Sequence, residues 1–189
     1  MIFAVKWATE AFISGDQSEV ARLTEGVDLS RSIVSGVERE LDLAFAREAP
    51  VASDLRLMIT ALRVVPPLDR CLALARHIAG RASFIHQLPI DVIASFAEMG
   101  SVTAALWGKA SVAWHNRDVR AAAALDSDDD ELDVLSWELV ERLGELQCSA
   151  LAAMEARLVV RFYERLGDHA VHVSERLVFL ATAHEPAKT

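Results

Sequence analysis

The chain of 189 residues has few of the residues that break helices or stabilise very small folds. It contains 8 glycines, 5 prolines and 2 cysteines, and only 6% of its residues are aromatic. So few glycines and prolines leave little room for the many turns of an all-β fold. Cys71 and Cys148 form no CxxC pair, which predicts two reduced thiols in a core rather than a disulfide or a zinc site.

Basic patches and long apolar runs are also missing. The net charge of −9 argues against binding to nucleic acid and against attachment to anionic lipid. The longest stretches without charge are shorter than the roughly 20 residues that a membrane helix needs, and no signal-peptide pattern opens the chain. We therefore expect a cytoplasmic protein without direct membrane insertion and without a nucleic-acid partner.

Helix-forming residues are in surplus, and apolar residues recur at helical spacing along nearly the whole chain. Glycine, proline and capping residues divide this pattern into six helices, which predicts an all-α fold. The predicted helices run from near Met1 to Ile13, from Asp16 to about Arg47, from about Val51 to His86 with a kink at Pro66-Pro67, from Pro89 to about Asn116, from Asp118 to about Gln147, and from Leu151 to Leu180.

The helical pattern occurs twice. The segments Val64 to Arg70 and Val159 to Arg165 match at an offset of 95 residues, as do His77 and His172, whereas Gly15-Asp16 and Arg117-Asp118 match at an offset of 102. The repeat predicts two copies of a three-helix unit, residues 1–86 and 87–189. The first helix is shorter than its counterpart, so either the first bundle is truncated or the native start lies upstream of Met1.

An acid pair lies in the last predicted helix. Glu164 and Asp168 are four residues apart, which places both carboxylates on one face of the helix. Like charges at this spacing repel, so the pair either faces solvent or shares a cation. His169 and His172 nearby are either surface residues or ligands of a softer metal. The residues alone leave these alternatives open.

Two motifs resemble those of a known family. The segment Arg161 to Glu175 resembles the second-repeat motif of PhoU proteins, and Ala49 to Arg56 followed by Leu62 to Val65 resembles the first-repeat motif. The resemblance covers nearly the whole chain and implies two three-helix bundles related by pseudo-symmetry. It also implies a negative regulator of the phosphate-starvation response, whose partners are a phosphate ABC transporter ATPase and a sensor histidine kinase. We also expect a homodimer, and Trp107 and Trp114, seven residues apart, predict either core packing or a face that binds a second copy or a partner.

The resemblance further implies metal ions held by paired acids on the bundle surface. In the second repeat the matching residues are Asp129, Asp133, Glu164 and Asp168, which would bring four carboxylates together from two helices. Oxygen ligands suit Mg, Ca, Mn or Fe, and we expect a divalent or trivalent ion of one of these metals or Zn. In the first repeat the corresponding positions are assigned to Asp28, Ser32, Asp69 and Ala73, which predicts a weak or absent site there.

Two other functions stay open. A metal-dependent enzyme or metal store could use the same carboxylates, but the chain has no GxG, no Glu-x-x-His and no recognisable nucleophile motif. We therefore expect a protein that is not an enzyme. The second alternative is a divergent accessory protein of another transporter, which the degraded first repeat and the short first helix favour.

Overall fold

The computed structural model describes residues 1–47 and 52–183, and it confirms the all-α prediction. These residues contain six α-helices and one 3₁₀ helix, and no strand occurs among them. The α-helices are α1 (Ile2–Ser14), α2 (Gln17–Arg47), α3 (Ala52–Ala79), α4 (Ile90–Asn116), α5 (Val119–Glu145) and α6 (Ala150–Thr182), and the 3₁₀ helix spans Ala82–Gln87. The stop predicted at Ala49-Pro50 lies outside the described residues.

Capping side chains start three of these helices. The carboxylate of Asp16 accepts a hydrogen bond from the Ser18 N–H at 2.8 Å, and that of Asp118 accepts from the N–H groups of Arg120 and Ala121. The Ser149 hydroxyl caps α6 in the same way, through the Ala152 N–H at 3.1 Å. Such bonds satisfy backbone donors that have no partner inside the helix.

The prediction that the third helix reaches His86 was wrong. α3 ends at Ala79, and after Gly80 the chain tightens into the 3₁₀ helix, with the Arg81 N–H bonded to the Ile78 carbonyl at 3.1 Å. Glycine is a poor residue for a helix interior, because it loses the most backbone freedom there. The two prolines inside α3, Pro66 and Pro67, do not end the helix.

The helices pack as two groups of three that share one core. α1, α2 and α3 contact one another, as do α4, α5 and α6, and the pairs α1–α4 and α3–α6 join the groups. One continuous cluster of buried apolar residues spans both groups, with Phe12 packed edge-on against Phe96 at 5.1 Å between ring centroids. The domain boundary between residues 86 and 87 stays a prediction, because a shared core does not show whether either half folds alone.

A buried polar contact crosses the seam between the two groups. The Tyr163 hydroxyl, on α6, lies 2.8 Å from the hydroxyl of Thr9 on α1, and Thr9 also donates to the Val5 carbonyl. A Cβ at Gly100, on α4, would lie only 2.3 Å from the Thr9 hydroxyl oxygen. Gly100 therefore lets α1, α4 and α6 meet closely enough for this buried pair to form.

The tryptophans of α4 bind the backbone of α6. The indole N–H of Trp107 donates to the Leu166 carbonyl, and that of Trp114 donates to the Val173 carbonyl, each at 3.1 Å. Both side chains thus pack within the molecule. Among the described residues, α4 is the one helix long and apolar enough by composition to cross a membrane, with a mean hydropathy of 1.2 over 18 residues, 44% of which are buried inside the protein.

Both cysteines are free thiols, as predicted, but only Cys71 is buried in the core, whereas Cys148 is half-buried. Burial raises the pKa of the Cys71 thiol far above its ordinary value, which keeps it protonated and unreactive.

Leu166→Ala is expected to lower the free energy of unfolding by about 2–5 kcal/mol, because Leu166 is fully buried and the substitution leaves a cavity. Urea unfolding followed by circular dichroism measures the change. Met154→Ala, at an exposed position of the same helix, is the control and should change the stability by less than about 0.5 kcal/mol. Equal effects of the two substitutions would contradict the packing described for α6.

Candidate metal site

The four predicted acids lie together where α5 packs against α6. Asp129 and Asp133 are one turn apart on α5, and Glu164 and Asp168 are one turn apart on α6. The negative charges of Asp133 and Asp168 help to raise the pKa of Asp129, and those of Asp168 and Glu164 help to raise the pKa of Asp133. Mutual effects of this kind mean that the carboxylates are near enough to repel one another.

Asp129 is the buried member of the group. The residue is only 9% exposed, and its Oδ1 atom is buried without a hydrogen-bond partner among the described residues. Burial first, and then the neighbouring acids, raise its pKa from 3.8 to about 7. A buried carboxylate without a partner is costly, so this position favours either a proton or a cation.

Gly167 makes room for Asp129. A Cβ at residue 167 would lie 2.3 Å from Oδ1 of Asp129 and 2.7 Å from a methyl carbon of Leu132. The missing side chain therefore lets α5 approach α6 closely enough to bury the carboxylate.

Arg161 supplies the positive charge at this site. Its guanidinium donates a hydrogen bond of 2.9 Å to Glu164, and Arg157 lies 3.9 Å from the same carboxylate. The bond to Glu164 raises the pKa of Arg161, and the charges of Asp168 and Asp133 add to this effect. Arg161 thus neutralises part of the acid group, and a metal ion would compete with it for Glu164.

The side chains are not arranged as a finished coordination shell. In the described part of the chain, no three His, Cys, Asp or Glu side chains stand together in a geometry that would hold a metal ion. The donor set nevertheless suits a hard cation, because it consists of carboxylate oxygens and includes the buried Oδ1 of Asp129, which lacks a hydrogen-bond partner.

The two histidines lie beside the acids rather than among them. Burial lowers the pKa of His169; the negative charge of Asp168 opposes this effect, and Arg165, His172 and Arg70 add to it. The Nδ1 atom of His172 lies 3.5 Å from Glu175. The carboxylates therefore remain the better candidate ligands.

The burial pattern corrects the counterparts assigned in the first repeat. α1 and α4 both end at a residue with left-handed backbone, Gly15 and Arg117, which fixes an offset of 102 residues for the helix that follows each. At this offset the buried residues Leu23 and Val27 correspond to the buried residues Leu125 and Asp129.

The counterparts of Asp129 and Asp133 are therefore Val27 and Arg31. The assignment to Asp28 and Ser32 was wrong by one residue, because it followed residue type rather than burial. Asp28 is exposed and lies 3.6 Å from Arg76.

Different interactions replace the acid group in the first repeat. The Nε of Arg31 donates to Oδ1 of Asp69 at 2.8 Å, so a guanidinium and one carboxylate stand where the second repeat has Asp133 and Glu164. The buried side chains of Val27 and Leu72 occupy the positions of Asp129 and Gly167. The first repeat keeps one acid, Asp69, of the four.

Sequence reasoning missed two residues of the site. Arg161 is three residues before Glu164, a spacing at which opposite charges meet on a helix and which could have revealed it. Gly167 gave a weaker signal, because an isolated glycine in a helical pattern indicates a close approach without naming the neighbour.

Comparison with known proteins places this geometry in a family. A model of the PhoU domain matches residues 96–177, which contain all four acids. The phosphate-specific transport system accessory protein PhoU homolog 2 of Mycobacterium tuberculosis is 35% identical over 188 residues, which cover 97% of this chain and 88% of that protein.

Solved structures show the same fold. The crystal structure of PhoU from Pseudomonas aeruginosa has a TM-score of 0.88 at 23% identity, covering 97% of this chain and 90% of that one. The phosphate transport system regulatory protein PhoU from Streptococcus pneumoniae has a TM-score of 0.83 at 21% identity, covering 99% and 90%. The 35% identity over nearly the whole chain and the shared fold lead to the same result: this chain belongs to the PhoU family.

Proposed function

We propose that the protein is a cytoplasmic accessory protein of phosphate transport that regulates uptake and the phosphate-starvation response by binding other proteins. The observation that carries the proposal is the 35% identity, over nearly the whole chain, with a relative named as a phosphate-specific transport system accessory protein. The proposed partners are a phosphate ABC transporter ATPase and a sensor histidine kinase. The activity is one of binding and not of catalysis.

Co-purification tests this proposal. The tagged protein is expected to retain the transporter ATPase and the kinase, and its deletion should alter phosphate-responsive gene expression. A deletion that leaves this response unchanged, while the protein binds a different transporter, would favour the alternative of an accessory protein of another transport system.

We also propose that Asp129, Asp133, Glu164 and Asp168 hold a metal ion of the Mg, Ca, Mn or Fe type. The cation would neutralise the repulsion among the acids and join α5 to α6. The buried Oδ1 of Asp129 and the absence of a side chain at Gly167 support this proposal. Arg161 would release Glu164 as the metal binds.

Isothermal titration calorimetry measures the affinity of this site for Mn²⁺. Asp168→Ala is expected to weaken Mn²⁺ binding at least about tenfold while the fold is kept, because it removes an exposed ligand. Arg161→Ala should strengthen binding, since it removes the competing cation. Glu131→Ala, an exposed acid of the same helix outside the group, is the control. Unchanged Mn²⁺ affinity in Asp168→Ala would refute the assignment.

The raised pKa of Asp129 predicts a pH effect in metal-free protein. The folded state binds a proton at Asp129 more tightly than the unfolded state, so this group lowers stability as the pH rises from 3.8 to about 7. Asp129→Asn removes the effect, whereas Asp126, Asp130, Asp133, Glu164, Asp168 and Arg161 remain in both proteins. With a chelator present, we expect the stability of Asp129→Asn relative to the parent to increase as the pH rises through this range.

Thermal unfolding at a series of pH values provides the comparison. A constant difference between the parent and Asp129→Asn from pH 4 to pH 8 would show that Asp129 is not the titrating group. Excess Mg²⁺ or Mn²⁺ at neutral pH is expected to restore the stability of the parent and to leave the variant less affected.

We further propose a homodimer through an apolar face on α1 and α2, formed by Phe3, Trp7, Leu29 and Ile33. These side chains are 42% to 69% exposed. Phe3 and Trp7 contact each other at 5.9 Å between ring centroids, and Trp7 and Leu29 line the same cleft of about 290 Å³. Exposed apolar groups of this size are typical of interaction surfaces.

The second repeat has a charged surface at the same place. At the offset of 102 residues, Trp7 corresponds to Lys109, Gly26 to Asp128 and Leu29 to Glu131. Lys109 and Asp128 form an ion pair of 2.8 Å, so this part of the fold is stable when it is polar and solvated. The apolar residues of the first repeat are therefore not required by the fold.

A second copy of the chain suits this face. The exposed Phe3 and the cleft beside Gly26 lie on one surface. In a two-fold symmetric dimer, Phe3 of each copy could therefore contact the cleft of the other copy. The charged residues lining the cleft, Glu19, Arg22 and Glu25, carry a net charge of only −1, whereas the whole chain carries −9. Two copies therefore bring little net charge together at this face.

The double substitution Trp7→Lys with Leu29→Glu copies the residues of the second repeat and should leave the fold intact. We expect the parent to be a dimer and this variant a monomer in sedimentation equilibrium. Trp137→Lys, at an exposed tryptophan on α5, is the matched control and should remain dimeric. A monomeric parent, or a dimer that survives the double substitution, would contradict this interface.

A further inference from the structure

We propose that the first three helices carry a binding site for a tetrahedral oxyanion such as phosphate, at the place where the second three helices carry the acid group. The site is the basic cleft, which we define by Arg31, Ala73, Arg76 and His77, and which has a volume of about 350 Å³. This proposal does not depend on metal binding at the acid group.

The internal repeat shows an inversion of charge at this place. Arg31 stands at the position of Asp133, and Ala73 stands at the position of Asp168. Each substitution removes a carboxylate, and the first also adds a guanidinium. A fold position that repels anions in the second repeat therefore attracts them in the first.

The arginines keep donors for an anion. Arg31 meets Asp69 through its Nε atom, and within the described residues this hydrogen bond leaves its two terminal NH₂ groups available. Arg76 lies 3.6 Å from Asp28, which is too long for a hydrogen bond, and both side chains of this pair are substantially exposed. An exposed ion pair of this kind is weak, so an oxyanion can replace Asp28 as the partner of Arg76.

The other two residues shape the cleft. His77 is stacked on Phe162 of α6, with 5.6 Å between ring centroids, and this contact orients its ring. The small side chain of Ala73 leaves space between the two arginines and offers no charge to repel the ligand. The charges of Asp69 and Asp28, which contact Arg31 and Arg76, limit the affinity. Planar guanidinium groups match the oxygens of phosphate well, which favours this class of ligand.

Nuclear magnetic resonance of the ¹⁵N-labelled full chain tests the site. Inorganic phosphate is titrated at constant ionic strength with a chelator present, so that no metal at the acid group can recruit it. We expect saturable shifts of amide signals around the basic cleft. Arg76→Ala should weaken phosphate binding about tenfold, because it removes a charge-assisted hydrogen bond.

Two variants control for charge and folding. Arg161→Ala makes the same change of net charge beside the acid group and should leave phosphate binding unchanged. Ala73→Asp restores the carboxylate of the second repeat and should abolish binding, while circular dichroism verifies that the helices are kept. Absence of saturable shifts in the parent would overturn the proposal, as would shifts that persist in both Arg76→Ala and Ala73→Asp.

A parallel titration with phosphoserine distinguishes the source of the ligand. Tighter binding of inorganic phosphate would assign the cleft to the free ion, and tighter binding of phosphoserine would assign it to a phosphorylated side chain. Both results support an oxyanion site, whereas failure of both ligands to bind refutes it. Neither titration tests the co-purification of partner proteins or the binding of Mn²⁺. The proposed oxyanion site can therefore fail while the proposed function stands, and the reverse.

Discussion

The missing side chain at Gly167 sets how closely α5 approaches α6, and the properties of the acid group follow from this approach. A Cβ there would collide with Asp129 and Leu132, so only glycine lets the carboxylate of Asp129 enter the space between the helices. Burial then raises the pKa of Asp129 and leaves its Oδ1 without a hydrogen-bond partner among the described residues. The first repeat solves the same packing problem with Val27 and Leu72, two hydrocarbon side chains that need neither proton nor cation.

The duplicated fold provides its own comparison, because positions of the first three helices recur in the last three at constant offsets. Where the second repeat has acids, the first has an ion pair between Arg31 and Asp69. Where the second repeat has a salt bridge between Lys109 and Asp128, the first has Trp7 and Gly26. Differences of this kind cannot be attributed to the demands of the fold, since one half remains folded with each alternative. They separate residues that stabilise the bundle from residues available for binding.

Much of this structure could be predicted from the sequence because helical periodicity and capping residues act locally. The helix starts at Asp118 and Pro89 depended on such local patterns. The grouping of Asp129 and Asp133 with Glu164 and Asp168 came instead from the resemblance to PhoU proteins, because a contact between two helices leaves no local pattern. The register of α2 was missed because adjacent residues on a helix differ by about 100° in direction, so Val27 is buried while Asp28 faces solvent. The closeness of Gly167 to Asp129 is a contact between helices, and no local pattern reports it.

The two indole hydrogen bonds between α4 and α6 restrict how the molecule can respond to a ligand. Trp107 and Trp114 are seven residues apart, and so are their acceptors Leu166 and Val173, so the two bonds fix the same register. Sliding α6 along its axis by even one residue would break both bonds together. A ligand that moves α6 along its axis would therefore have to move α4 with it or break both bonds.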